Sequence, residues 1–473
     1  MLPPLQRLRR WLFALGAGTA LVTTAAQSQA RAYWFGKVVT GSGAVIDHGV
    51  VVVSGDRIER VVPAGSAGLR GIPVTDLRRF TAVPGLIDAH VHITYWWDRA
   101  PGTKPWEQLA KRPAPTLLVL AQENLRKTLE TGVTTVRDLY AADKTSIYLR
   151  DLINEGRVVG PRMFVAGCGL VKQPDGTFCG AVGHGAAAVA AAVIGQIDQG
   201  ADLIKIFGST GSADDLSGTP TFTYDEFTAA VAAAHGRGKR VTVHSYGPEA
   251  AKDAVRAGVE SIEHAVDLDD ATLADMARRG TIYVPTIDHN RYYADHRAEY
   301  GYSEQNAADL RAFVVRNLET ARRAHQAKVR LAMGSDAVFT GFGENTRELE
   351  WFVKAGLTPA EALATATTTG AVLLGQEATL GKIAPGYYAD LVGVEGNPLA
   401  DITTSCGPAP VGSVAVTWES VVLASASSLV ASVLKVLSVN HATASPPRAR
   451  TQTSMASPVL PTNLNARYFG VRV

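Results

Sequence analysis

Residues 84–92 read Pro84-Gly85-Leu86-Ile87-Asp88-Ala89-His90-Val91-His92. A short apolar run ends on two histidines, and the chain changes character here. Upstream lie short β-rich pieces, Lys37-Val38-Val39, 49–54 and 58–62, separated by turns such as Ser54-Gly55-Asp56. They read as a small antiparallel sheet. Downstream, short apolar strands at 85–93, 133–137, 162–166, 203–207, 240–244, 261–263, 282–284 and 330–333 alternate with alanine-rich amphipathic helices such as 224–236, 249–257 and 270–279. Eight strand–helix units over roughly 250 residues is the count of a (β/α)8 TIM barrel, an α/β fold with its active site at the C-terminal strand ends. Reactive residues are therefore expected at those ends.

The 473 residues are 46% hydrophobic and 19% charged, which suits a globular chain and excludes a disordered chain, a collagen-like fibre or a coiled coil. With 46 Lys+Arg against 44 Asp+Glu, no basic field points to nucleic acid. Three cysteines are too few for a disulfide scaffold.

Residues 1–30 read as an export signal. Arg7, Arg9 and Arg10 precede an apolar run at 11–22, and Ser28-Gln29-Ala30 offers small residues for cleavage. The alternative is an uncleaved anchor, for which the run is short against a span of ~20 residues. Removing the segment takes the net charge from +2 by three arginines to −1. No later segment is long and apolar enough to span a bilayer, so no membrane partner is expected after cleavage. The protein is then periplasmic or secreted, in an oxidising compartment. Cys168 and Cys179 bracket one loop with a Pro174-Asp175-Gly176 turn at its tip. A disulfide and two free thiols both fit that spacing, while Cys406 reads as unpaired. From Ser405 to Val473 the only acid is Glu419. This composition does not match the rest of the chain and is the kind of change a shifted reading frame produces. Residues 420–440 suit a strand pair or a helix, and 441–466 suit a disordered tail.

His90 and His92 stand two apart on a strand and point to one side; neutral imidazoles are common metal ligands. Lys205 sits in the apolar run Asp202-Leu203-Ile204-Lys205-Ile206-Phe207. A buried unpaired ammonium is costly. It is either paired with a carboxylate or converted by carbon dioxide into a carbamate that can bridge two cations. His244 ends the fifth strand, His264 the sixth, and Asp336 the eighth. Singly, each histidine suits a hydrogen-bonded core role and Asp336 a helix N-cap. Together, these six residues at strand ends supply nitrogen and oxygen ligands for two divalent metals such as zinc.

The chain resembles the amidohydrolase superfamily, in its two-metal subtype with a carboxylated lysine. Residues 84–92 match that family's opening motif, and Lys205, His244, His264 and Asp336 match the remaining ligand positions in order. The resemblance covers roughly residues 33–404. Leu380-Gly381-Lys382-Ile383-Ala384-Pro385-Gly386, leading to Ala389-Asp390-Leu391-Val392, resembles the family's return to a small β-sandwich. Asp202–Phe207 in sequence, His244-Ser245-Tyr246-Gly247 and Gly183-His184-Gly185 are similar to the imidazolonepropionase-related branch, which includes prolidase-like dipeptidases and ochratoxin-type amide hydrolases. Imidazolonepropionase itself uses one metal without the bridging lysine, so Lys205 argues against that reaction.

The resemblance implies a layout. Residues 31–83 and about 375–420 would form the small β-sandwich domain, 84–374 the barrel, and 421–473 an atypical tail. His90, His92 and Asp336 would hold one metal, zinc by its ligand set, and His244 and His264 the second. Lys205, as N6-carboxylysine, would bridge them. The metals would acidify a bridging water, with Asp336 as general base then acid. Tyr246 would hold the substrate's terminal carboxylate. His184 would contact substrate or only line the pocket. After the seventh strand come Asp288, His289, Arg291 and Tyr292; His289 and Arg291 are substrate-binding candidates, and an arginine there can pair with a carboxylate or belong to a solvated loop. Trp96 and Trp97 would wall an apolar pocket or pack their loop. The family's final short strand is not recognisable after Thr404, although 414–417 can supply it.

The expected function is metal-dependent hydrolysis of a C–N amide bond in a carboxylate-bearing small molecule: a dipeptide, an Xaa-Pro-like substrate or an N-acyl amino acid. Alternatives on the same site are lactone, cyclic-amide or phosphotriester hydrolysis. A non-catalytic paralogue is disfavoured because all six ligand positions are filled. A homo-oligomer is compatible with the family, and no interface is readable in the sequence.

Overall fold

The structure is a computed structural model and describes residues 30–66, 68–172, 179, 181–405, 414–417 and 420–423. The expected signal segment up to residue 29, the turn at 174–176, Cys406 and the tail from 424 lie outside the described residues.

Both ends of the described chain meet in one sheet. Its strands are β1 (Arg31–Val39), β2 (Val45–Asp47), β3 (Gly49–Ser54), β4 (Arg57–Pro63) and β5 (Val74–Pro84). The later strands β13 (Leu391–Glu395), β14 (Val414–Thr417) and β15 (Ser420–Leu423) join them. The order is β15-β14-β13-β5-β1-β3-β4, with β2 paired to β1. The sequence suggests an antiparallel sheet. The structure draws a mixed one, because β1 and β5 run parallel. That pair is close-packed: a Cβ on Gly36 would stand 2.3 Å from the Arg78 carbonyl oxygen. One face buries Phe35, Val51, Ile58, Leu77, Phe80 and Leu391. The other gathers Ala32, Val50 and Val52. Residues 414–417 do form a strand, antiparallel to β13.

The middle of the chain alternates strand and helix. One parallel ladder joins β6 (Leu86–Val91), β7 (Val133–Asp138) and β8 (Arg162–Val165). A second joins β9 (Ile204–Phe207), β10 (Val241–Ser245), β11 (Ser261–His264) and β12 (Ile282–Val284). Every residue of β6, β7, β10, β11 and β12 is buried. This lack of alternation fits parallel strands covered on both faces. Single parallel bridges link Leu170 to Ile206, Tyr283 to Leu331 and Val91 to Ala337. The expected eighth strand at 330–333 is thus a bridged segment, not a ladder strand. It still lies between its neighbours, because the Tyr283 N–H donates to the Arg330 carbonyl and the Ala89 N–H to the Met333 carbonyl.

The helices show why the sequence packs this way. In helix Tyr224–His235, Phe227, Ala230, Val231 and Ala234 are buried, the i, i+3, i+4, i+7 stripe of an amphipathic helix. Thr223 and Glu226 close its N-terminus with a capping box. Burying Phe227 contributes about 2–3 kcal/mol, and truncating it to alanine costs about 3–5 kcal/mol. Helix Pro248–Ala257 starts on proline and stops at Gly258 in the left-handed conformation. Among the described residues no helix is long and apolar enough to cross a membrane.

Candidate metal centre and active site

The strand ends bring five candidate ligands together around Asp336. The Nε2 atoms of His92 and His90 lie 3.1 and 3.5 Å from Asp336 Oδ1. The His264 ring is 4.9 Å from that of His90 and 4.6 Å from that of His244. Ligand atoms of His90, His264 and Asp336 fall within 4.8 Å of one another. The two ligand groups expected from sequence are therefore adjoining halves of one cluster. Lys205, in register with Thr242 on the neighbouring strand, completes it. Its charge acts on His90, His244 and His264.

Three of the four imidazoles have an orienting polar contact. His90 Nδ1 lies 2.8 Å from Glu263 Oε2. His92 Nδ1 lies 3.1 Å from the Tyr140 carbonyl oxygen. His264 Nδ1 lies 2.7 Å from Thr286 Oγ1. Donation through Nδ1 at His90 and His92 leaves the Nε2 lone pairs facing Asp336, the arrangement metal-binding histidines use. Burial holds His90 down to about 4, and His244 and His264 well below the usual histidine range. All three are neutral at pH 7, as ligation requires. His244 Nε2 is buried without a hydrogen-bond partner among the described residues. An orphaned lone pair beside a neutral histidine cluster and a carboxylate fits a divalent cation better than an apolar core.

Backbone strain is concentrated at the same place. His264, Thr286 and Asp336 have φ of 70°, 51° and 50°. Such conformations cost about 1–3 kcal/mol each and persist where surrounding contacts enforce them. At Asp336 those contacts are visible. Asp88 accepts from the Ser335 N–H at 2.9 Å, the Ser335 hydroxyl at 2.5 Å and the Asn345 amide at 3.0 Å. The Asp336 N–H donates to the His90 carbonyl at 2.7 Å. A Cβ on Gly334 would stand 2.8 Å from His90 Cβ, so only glycine lets the two segments meet.

Lys205 is 1% exposed. Burial pushes its ammonium down to about 8, opposed by the charges of Glu263 and Asp336. A lysine tuned this way carries an appreciable neutral, nucleophilic fraction near pH 8.

Sequence reasoning missed Glu263 and Arg137 as site residues. Glu263 is fully buried and accepts from Arg137 at 2.8 Å, from Ser261 at 2.6 Å and from Thr242. Arg137 also donates to the Ala89 carbonyl and to Ser261. The pair holds Glu263 well below the usual carboxylate range despite burial. The only sequence trace was Glu263 preceding His264.

The weaker candidates separate. His289 joins the cluster, with Nδ1 2.8 Å from the Asp336 carbonyl oxygen and Nε2 3.4 Å from Asp336 Oδ2. A cavity of about 20 Å³ opens beside it, lined by Tyr293, Asp336 and Val338 among others. Tyr246 is buried, its ring 5.1 Å from His244 and 5.2 Å from His264. Arg291 is not brought into the cluster. Its guanidinium pairs with Asp288, Asp295 and Glu344 at 2.7, 3.0 and 3.0 Å. His184 is exposed, and no described contact ties it to the cluster. Trp96 donates to Glu123 and Trp97 to Thr103, both loop-packing contacts. Cys168 and Cys179 form a disulfide, which settles the alternatives left open by their spacing.

Residues 81–417 match the model of the amidohydrolase family. The ochratoxinase of Aspergillus niger is 28% identical over 425 residues, covering 81% of this chain and 84% of that protein. A Xaa-Pro dipeptidase solved with bound methionine in its active site is 29% identical and superposes with a TM-score of 0.74, covering 84% of this chain and 100% of that one. A prolidase solved with n-methylphosphonate-l-proline is 28% identical, with a TM-score of 0.75 and coverage of 84% and 100%. The chain belongs to the amidohydrolase family. It is a hydrolase acting on C–N bonds, of mixed α/β fold.

Proposed function

We propose that this chain is a metal-dependent hydrolase of the amide bond in a small substrate bearing a free carboxylate, a dipeptide or an N-acyl amino acid. The observation that carries the reading is the cluster itself: neutral, buried imidazoles and Lys205 arranged around Asp336 at parallel strand ends. Ochratoxinase, the Xaa-Pro dipeptidase and the prolidase support the substrate class. The single bridges Leu170–Ile206, Tyr283–Leu331 and Val91–Ala337 support a distorted eight-stranded barrel, and the mixed sheet supports the accompanying small domain. The Cys168–Cys179 disulfide supports an exported, periplasmic or secreted protein.

His90, His92 and Asp336 would hold one divalent cation, zinc by its donor set, and His244 and His264 the other, with carboxylated Lys205 between them. Two such cations, when bound, make water acidic and polarise a carbonyl. Asp336 takes the proton from the attacking water and delivers it to the leaving nitrogen, which departs as a neutral amine. His289 holds Asp336 on its far side and keeps the carboxylate from rotating out of line. Burial raises the Tyr246 phenol above the usual tyrosine range, so it stays protonated and donates to the substrate carboxylate.

A hydrolysis screen pairing dipeptides and N-acyl amino acids with their C-terminal amides tests the reading. Turnover confined to the free acids, with the preference reduced in Tyr246→Phe, is expected. Equal turnover of acids and amides would contradict it.

A further inference from the structure

One buried polar group near the cluster has no part in the proposed chemistry. Asn290 lies on helix Ile287–Asp295, next to His289, and is 1% exposed. Its Oδ1 has no hydrogen-bond partner among the described residues, and its amide interacts there with the Tyr246 phenol alone. Leaving amide polar atoms buried and unpaired is destabilising, whereas an apolar side chain of the same shape would be neutral or better. The amide stands against the Tyr246 phenol and partly offsets the effect of burial there. Tyr246 in turn packs between Phe313, 4.8 Å away, and the two histidines His244 and His264, each ring tilted against it. Asn290 is thus one side chain removed from the candidate metal ligands, with one donor and one acceptor unused.

We infer that Asn290 is a specificity-determining residue that reads the leaving half of the substrate, an α-amino acid. Its Nδ2 donates to the α-carboxylate, beside the Tyr246 hydroxyl. Its Oδ1 accepts from the N–H on the same α-carbon, the nitrogen released as the amine. Asparagine suits this task because it supplies both a donor and an acceptor. Aspartate offers no donor and would repel the carboxylate; leucine offers neither. A carboxylate alone would leave Oδ1 unsatisfied, so the recognised unit is the α-amido acid. This inference rests on the proposed reading of the site as one that takes carboxylate-bearing amides.

The test uses the metal-loaded full chain, with L-methionine and L-methioninamide as product-side probes in calorimetric titrations. The parent is expected to prefer L-methionine. Asn290→Leu is expected to weaken L-methionine by about tenfold or more, the value of a hydrogen bond to a charged group, to reduce the preference, and to hold or raise Tm. Asn290→Asp should weaken L-methionine further while sparing L-methioninamide, and it fails differently from a folding defect. Unchanged L-methionine affinity with a lower Tm in Asn290→Leu would overturn the inference and make Asn290 a structural group held by water. A parent that does not distinguish the two probes would overturn the inference together with the carboxylate reading beneath it.

Discussion

His90 donates to Glu263, and Glu263 is held by Arg137, Ser261 and Thr242. The tautomer of one ligand therefore depends on a charge pair in the strand interior. Glu263→Ala removes the acceptor and leaves Arg137 buried and unpaired. The expected cost is about 3–5 kcal/mol of stability and about 10–100-fold in metal affinity, checked by thermal denaturation and chelator competition. Lys205→Ala should lose bound metal and regain part of it with a short-chain carboxylate. Full metal content without rescue would remove Lys205 from the site. Among residues, strand spacing pairs only His90 with His92; His244, His264 and Asp336 were picked out by their places at strand ends and by the family resemblance. Glu263, Arg137 and Asn290 were not, since their roles come from what packs behind or beside the cluster. Arg291 could be seen as a cation near the site, but its three carboxylate partners could not.

Helix Ile287–Asp295 shows the same division among elements. Sequence places a specificity loop after the seventh strand; the structure has a helix there. Its first N–H groups, Ile287 and Asp288, donate to Glu348 at 2.9 Å each, from 61 and 60 residues away. No local pattern displays a cap supplied from that distance. Burial pushes Glu348 up to about 8 from the ordinary glutamate value of 4.5, outweighing those two hydrogen bonds. The folded chain therefore binds this proton more tightly than the unfolded chain. Its stabilisation is fully present below pH 4.5 and is lost as pH rises toward 8. Glu348→Gln should flatten the fall of stability with pH across that window while keeping an acceptor for the helix. Denaturant titrations at several pH values check it, and an unchanged slope would contradict the assignment. The segment 330–333 is the complementary case: it lies where its apolar pattern places it, but pairs through a single bridge.

Across the whole molecule, alternation of strand and helix was readable because buried parallel strands are nearly continuous apolar runs. The shared sheet was less so. β5, Val74–Pro84, opens with Val74-Thr75-Asp76-Leu77-Arg78-Arg79, and most of that half is exposed. Its partner β1 lies far along the chain, and the parallel pairing between them has no local signature. The disulfide also acts on the whole chain, since it joins cysteines 11 positions apart. Reduction, or Cys168→Ser, should cost about 2–3 kcal/mol on the loop-entropy account, read as a lower denaturation midpoint. Elemental analysis of the purified chain, beside Asp336→Asn, tests directly whether the strand-end cluster is a two-metal hydrolytic site. About two divalent cations per parent chain and lost turnover in the folded variant are expected. A folded parent that takes up no divalent cation, or an Asp336→Asn chain that turns over undiminished, would contradict it.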